Sequence, residues 1–330
     1  MASDITELPG HERRTHEELG IRLFEPAPPG FAPITASAEE LLRYGYSPRP
    51  DSERHPKRYR QWRSVVSQIT SVVLPQFATV PVVSAVASGQ GHQGPFPTSG
   101  HSSDWAGIAV FPDFYDRIDA VFGRWTVPNL KPVASEQPPF ICSSWIGIDG
   151  FAAGNNPVPT SLVQVGTTRL LTGGTIGGLF GADLTFPWFE WVPAGPTTIT
   201  NLPVWPGDVM NCELLLTSST EATIHLTNLT SGVSTSFVKF APAHTEAAGI
   251  CAEWIVELPE GSVNGHPLQL GRYGSVYFSD SFAATRGGKS LHPGSGDLLT
   301  MVNAFSSPLS MPTALGDTAL KVDFSAGGSA

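Results

Sequence analysis

From about residue 102 onward the sequence is a series of short apolar or alternating runs cut by turn residues. This punctuation restricts the fold more than any single motif. Such runs occupy 120–127, 140–148, 161–165, 188–191, 208–217, 222–226, 253–258 and 275–278, and strand-like stretches at 298–302 and 319–324 carry the pattern nearly to the end. Gly (34) and Pro (30) sum to 64 residues, more than twice the 29 acidic ones. Gly loses most backbone freedom on entering a helix, and Pro lacks the amide hydrogen and clashes with the preceding turn. Long helices are therefore disfavoured, and short strands joined by turns predict an all-β sandwich or barrel. No repeat of fixed period is present.

The first hundred residues differ in texture. The stretch 21–33 (IRLFEPAPPGFAP) is proline-rich and extended, 38–44 (AEELLRY) is a short helix with Ser37 as N-cap, and 59–73 reads as a second helix. The segment 49–63 carries six Lys/Arg against two acids, and the glycine-rich 89–100 (GQGHQGPFPTSG) reads as a linker. The chain thus divides into an N-terminal region, 1–98, partly helical and partly extended, and a β domain, 99–330. The net charge of −10 follows this division. Residues 1–95 hold ten basic and ten acidic side chains, whereas 96–330 hold nine and nineteen.

An acidic domain repels phosphate backbones, so nucleic acid is not an expected partner. No apolar run reaches 18 residues, so no membrane-spanning helix is expected, and the N-terminal MASDITELPGHERR has no apolar core of signal-peptide length. Cys142, Cys212 and Cys251 lack the close spacing of a zinc site; one disulfide or none is open to them. No metal or cofactor motif is found. Asn228-Leu229-Thr230 is a glycosylation sequon that matters only in a secreted chain.

Side chains alternate across a strand, so parity assigns faces. In FICSSWIGIDG, Trp145 shares a face with Asp149. In SLVQVG, Gln164 shares one with Leu162 and Gly166. In FPWFEWVP, Trp188 and Glu190 are together, and in AEWIVEL Glu253, Ile255 and Glu257 face one way. Faces that gather Trp, Glu and Gln suit a groove floor better than a dry core. Taken singly, these residues also fit solvated strand carboxylates and packing tryptophans. No G-x-S-x-G elbow and no Asp-Thr/Ser-Gly occurs.

The ordered set WIGIDG (145–150), LVQVG (162–166), WFEWVP (188–193) and AEWIVE (252–257) resembles the glutamic peptidases called eqolisins. SSDWAGIAV (102–110), NLTSGVSTS (228–236) and GSVYFSDS (274–281) agree, and the likeness runs from about 102 to about 325. The resemblance implies an antiparallel two-sheet β-sandwich, a concanavalin A-like jelly roll, with a substrate groove across one sheet. It implies a catalytic dyad of Gln164 and Glu253, with Trp105, Trp145, Asp149, Glu190 and Glu257 lining or supporting the site. It also implies a monomer that acts on protein or peptide substrates, secretion, and a prosegment removed on activation, which the residues before about 98 would supply. The basic 49–63 stretch would be an electrostatic cover for the acidic domain. One departure stands out: Thr168 and Arg169 occupy the region of the family's Asp after the catalytic Gln, and an Arg near the groove would alter substrate preference.

In this reading Glu253 takes a proton from water as general base and returns it to the leaving nitrogen, while the Gln164 amide donates to the oxyanion. A carboxylate base predicts an acidic optimum. Two other classes compete. A sandwich glycoside hydrolase needs carboxyls roughly 5–9.5 Å apart, and Glu253 and Glu257 on a regular strand lie about 13 Å apart. A lectin-like module would have no catalytic use for Gln164.

Overall fold

The computed structural model describes residues 12–79, 100–133, 136–151, 161–173, 183–263 and 266–325. The elements run in the order β1 (Glu12–Arg14), β2 (Ile21–Leu23), α1 (Ala38–Arg43), α2 (Pro56–Gln68), β3 (Ser71–Val72), β4 (Phe77–Thr79), β5 (His101–Ser102), β6 (Trp105–Val110), β7 (Ile118–Thr126), β8 (Phe140–Asp149), β9 (Leu162–Leu171) and β10 (Leu184–Trp191). There follow β11 (Thr197–Ile199), β12 (Val209–Ser218), β13 (Glu221–Asn228), β14 (Val233–Phe240), β15 (Ala252–Glu257), β16 (Ser262–Val263), β17 (His266–Pro267), β18 (Gln269–Leu270), β19 (Ser275–Thr285), β20 (Ser290–Leu291), β21 (Asp297–Val302), β22 (Pro308–Gly316) and β23 (Ala319–Phe324). The fold is all-β, as the punctuation predicts.

Two mainly antiparallel layers face each other. The first runs β4–β11–β10–β9–β8–β15–β6–β21. The second runs β23–β19–β7–β12–β13–β14. β22 pairs with both β21 and β23 and carries the chain from one layer to the other. The main core lies between them: Val163, Val165, Phe189, Trp254 and Val256 from the first layer meet Val121, Trp125, Leu214, Ile224 and Phe237 from the second. The opposite face of the first layer carries its own buried cluster, with Trp105, Trp145, Leu162, Phe186, Trp188 and Ile255. β8 is therefore buried along its whole length. A strand packed on both faces needs no hydrophobic–polar alternation, which is why FICSSWIGID reads as nearly continuous apolar sequence.

α1 forms as expected, with Ser37 and Glu40 completing a reciprocal capping box. The second helix differs from the expected 59–73. It starts at Pro56, whose fixed φ and missing N–H suit a first turn, and ends at Gln68 because Ser71–Val72 pairs with β14 instead. β9 and β19 extend past the apolar runs that announce them. β22, which carries Pro308 and Pro312, is not among the stretches expected from the sequence. All but the last residue of the expected linker at 89–100 lies outside the described residues. Cys142, Cys212 and Cys251 are free, buried thiols.

The basic stretch does not lie over the Gln164 face. Arg58 on α2 sits 5.2 Å from the ring centroids of both Phe122 and Phe282, which stack on the outer side of the second layer. The apolar side of α2, with Trp62, Val65 and Val66 buried, turns toward the same layer.

Candidate active site

Strand register brings the sequence candidates into one row. Across the first layer, Glu253 pairs with Gly147, Gly147 with Gln164, and Gln164 with Glu190. Residues opposite one another in a ladder point to the same face. Glu253 and Gln164 therefore flank a glycine, with two interstrand spacings, about 10 Å, between their backbones. The missing side chain is required: a Cβ on Gly147 would lie 2.8 Å from Glu253 Oε1 and 2.9 Å from the Trp145 ring. The next row is Ile255, Trp145, Gly166 and Trp188. There a Cβ on Gly166 would meet Trp145 Cβ at 2.6 Å and Trp188 at 3.0 Å. Two glycines thus clear the floor on which large side chains stand.

Gln164 Nε2 donates to Glu190 Oε2 at 2.6 Å. Gln164 Oε1 and both carboxylate oxygens of Glu253 are buried with no hydrogen-bond partner among the described residues. Glu253 itself is fully buried. A desolvated, unpartnered carboxylate is costly in a folded protein, and such groups concentrate where chemistry uses them.

The supporting residues divide by what they touch. Trp145 Nε1 donates to Glu257 Oε2 at 2.7 Å, and the Trp105 and Trp145 rings meet edge-on at 5.0 Å. Glu257 belongs to a third row with Trp105, Ser143, Thr168 and Phe186. Asp149 stands at the end of β8 with φ 69° and accepts from the amides of Ala248 (2.6 Å) and Ile250 (2.8 Å). It thereby fixes the turn that feeds β15 and so sets the height of Glu253. β15 keeps regular register with both neighbours, so no bulge draws Glu253 and Glu257 together.

Burial governs the electrostatics. It raises Glu253 well above its ordinary value, opposed by the neighbouring Cys251 thiol, and the Asp149 charge adds to the rise. Burial raises Glu190 to about 7, opposed by the Gln164 amide, and Asp149 to about 6, opposed by the amides it holds. Glu257 is raised by burial and by the Asp104 and Glu190 charges. Beneath α2, burial raises Glu213 to about 7 and lowers His225 to about 4.

These shifts have a sign. A carboxyl whose folded pKa exceeds its unfolded value stabilises fully below the unfolded value, and that contribution is lost as pH rises through the folded one. His225 acts oppositely, favouring the fold as pH rises from about 4 toward 6.5. Lys239, lowered by burial to about 8, acts only above that pH. The carboxyls Asp149, Glu190, Glu213, Glu253 and Glu257 outnumber the imidazole. The thermal midpoint is therefore expected to fall between pH 5 and pH 8, measured by circular dichroism at constant ionic strength. A flat or rising midpoint would contradict the burial of these groups.

Arg169 requires a correction. It is not on the Gln164 face: it pairs with Cys142 and Thr185, on the side of the layer that carries Val163 and Val165. Its guanidinium bonds Thr185 Oγ1 and Asp183 Oδ2. Thr168 is the residue that shares the Gln164 face, joined to Ser143 Oγ at 2.6 Å. Gly147, Gly166 and the Ser143–Thr168 pair escape sequence reasoning, because their roles depend on which strands become neighbours. Among the described residues no group of three or more His, Cys, Asp or Glu side chains is placed to hold a metal ion.

The chain is similar to known proteins. The Peptidase A4 family profile matches residues 103–323. Aspergillopepsin-2 of Aspergillus niger is 26% identical over 210 residues, which cover 58% of this chain and 68% of that protein. Scytalidopepsin B of Scytalidium lignicola is 25% identical over 195 residues, covering 56% of this chain and 65% of its own length, just under two thirds. A crystal structure of scytalido-glutamic peptidase with a transition state analog inhibitor has a TM-score of 0.55 at 19% identity and covers 68% of this chain and 99% of that one, a likeness of fold. With the profile spanning well over half of its length, the chain belongs to the Peptidase A4 family and is a glutamic-type endopeptidase.

Proposed function

We propose that Gln164 and Glu253 form the catalytic dyad for hydrolysis of internal peptide bonds in protein or peptide substrates. The observation that carries this reading is the shared row, in which an unpartnered carboxylate and a carboxamide face one another across Gly147. Ionised Glu253 removes a proton from a water held above Gly147. The resulting hydroxide attacks the scissile carbonyl carbon, and Glu253 returns the proton to the nitrogen as the C–N bond breaks. A carboxamide carries two N–H donors. Glu190 engages one and so orients the group; the other is available to the oxyanion, and Oε1 is available to the water. Trp145, held by Glu257, and Trp105 pack against the dyad's face and support it from within the buried cluster. The two facing layers and the likeness of fold support the jelly-roll sandwich implied by the resemblance.

The working range proposed is mildly acidic. Burial raises Glu253, so the ionised base is lost on the acid side at a pH above 4.5 rather than near it. On the other side, Glu190 ionises through about 7 and tightens its hold on the Gln164 amide.

Gln164→Ala tests the reading. Removal of one oxyanion donor is expected to lower kcat/KM by about 10²–10³, with the fold intact by circular dichroism. The assay is hydrolysis of an internally quenched peptide from pH 3 to 8 with pepstatin present. Near-normal turnover by the variant would reject the dyad.

A further inference from the structure

We propose that Trp188 Nε1 and Thr198 Oγ1 bind the backbone C=O and N–H of one substrate residue close to the scissile bond, on the reading that Gln164 and Glu253 act from the same face of the first layer.

The N–H of Trp188 departs from the pattern of the other buried indoles. Those of Trp62, Trp125, Trp145, Trp191 and Trp254 each donate to an oxygen at 2.7–3.0 Å. Trp188 is 5% exposed, yet its Nε1 is buried with no hydrogen-bond partner among the described residues. An indole nitrogen only donates, so an acceptor is needed to satisfy it. Directly across the ladder, on β11, stands Thr198. It is fully buried, and its Oγ1 also has no partner among the described residues. Native interiors leave few such atoms unpaired, because each one destabilises the fold. Two side by side on one face are a cost to the free enzyme that a ligand matching both would remove.

Their position ties them to the dyad. Trp188 lies two residues from Glu190 on β10, and Glu190 holds the Gln164 amide. Thr198 extends the row of Ile255, Trp145, Gly166 and Trp188. Two residues of strand span about 7 Å, which is also the reach of two residues of an extended peptide. A Cβ on Gly166 would lie 3.0 Å from Trp188 Cζ2, the ring carbon next to the one that carries Nε1. This edge of the indole therefore borders bare backbone. Gln164 and Glu253 are as buried as Trp188. A peptide admitted to them comes within one row of its N–H.

The two groups suit a peptide backbone. Each residue other than proline offers one carbonyl acceptor and one N–H donor. In an extended strand both point to the same neighbour, as they do in an antiparallel ladder. The indole takes the carbonyl, and the hydroxyl accepts from the N–H. Neither group is charged, and neither reads a side chain, so the contact holds the main chain whatever the sequence around it.

The test pairs enzyme variants with altered substrates. In one enzyme Trp188 is replaced by β-(3-benzothienyl)alanine, which keeps the bicyclic ring and lacks the N–H. The other is Thr198→Val, which keeps the shape and lacks the hydroxyl. Each is expected to raise KM about 5–10-fold with kcat little changed, since a contact that is equal in ground and transition state acts on binding. Neither should lower Tm, because an unpaired buried group has been removed. A lowered Tm with KM unchanged would mark both groups as structural and overturn the proposal. The substrates are internally quenched peptides in which one bond at a time, other than the scissile one, becomes an (E)-alkene. Within two residues of the scissile bond, one alkene should cost the parent enzyme more than the Trp188 analogue, and the bond just N-terminal to it should do the same for Thr198→Val. Losses that simply add at every bond would overturn the proposal. Gln164→Ala, run beside these, keeps the two readings apart. Its loss is expected in kcat, and near-normal turnover there rejects the dyad without altering the couplings of Trp188 and Thr198.

Discussion

Glu253→Gln is expected to reduce peptide hydrolysis by about 10⁴, the upper range for loss of a positioned general base, while raising the thermal midpoint at pH 7. An amide of the same shape cannot accept a proton from water, so the chemical step fails even though the groove keeps its outline. The gain in stability has a separate origin. Glu253 is fully buried, and neither oxygen has a hydrogen-bond partner among the described residues. At pH 7 the fold must either hold a desolvated charge or keep a proton that the unfolded chain would release. A neutral isostere removes that conflict and is expected to stabilise by about 1–2 kcal/mol. Single-turnover hydrolysis and a pair of melting curves at pH 4 and pH 7 measure the two effects together. The midpoint difference between variant and parent should grow with pH, since only the parent carboxyl titrates. Full activity, or a variant destabilised equally at both pH values, would remove Glu253 from the centre of the mechanism.

Gly147→Ala is expected to lower kcat/KM by about 10², the scale of a 1 Å misplacement of reacting groups. The added methyl would stand 2.8 Å from Glu253 Oε1, 2.9 Å from the Trp145 ring and 3.1 Å from Leu162 Cδ1. All three neighbours are side-chain atoms, so the strand need not break; the groups move instead. Glu253 is driven from the line that joins it to Gln164. The overpacking itself costs about 1–3 kcal/mol, so the variant should fold with a lowered midpoint. The defect should lie mainly in kcat, because the methyl displaces the reacting groups and removes no side chain. Wild-type kcat/KM in a folded Gly147→Ala protein would show that water and substrate do not use the space above this glycine.

Much of this site is legible in one dimension. Period-two alternation puts Gln164 with Leu162, Glu190 with Trp188, and Glu253 with Glu257, and each pair does share a face. The same parity places Arg169 opposite Gln164, so its absence from the groove follows from counting alone. Register is not legible in this way. Nothing within LVQVG or AEWIVE states that Gly147 will separate them; that depends on β8 lying between β9 and β15, a choice made by the whole packed layer. Short segments are equally opaque. The three residues of β2 or β4 are too few for any periodicity to mark, and they become strands because β14 and β11 offer them partners. The N-cap at Ser37, by contrast, is a local contract between Ser37 and Glu40, and local chemistry suffices to read it.

The surface beneath α2 has a consequence for heat capacity. Its rows are polar: Glu213, His225 and Ser236 in one, and Asn211, Thr227 and Ser234 in the next, all buried. Exposed apolar surface raises the heat capacity of unfolding, and exposed polar surface lowers it. Where the helix lifts from this platform, the two contributions oppose each other, and the free energy of that local opening varies almost linearly with temperature. The space between the layers, filled by Trp125, Phe189, Phe237 and Trp254, carries the opposite balance and the strong curvature that goes with it. The grip of the helix on the enzyme and the cohesion of its core therefore follow different temperature laws, and the curvature by which cooling weakens the core has no counterpart in the helical grip.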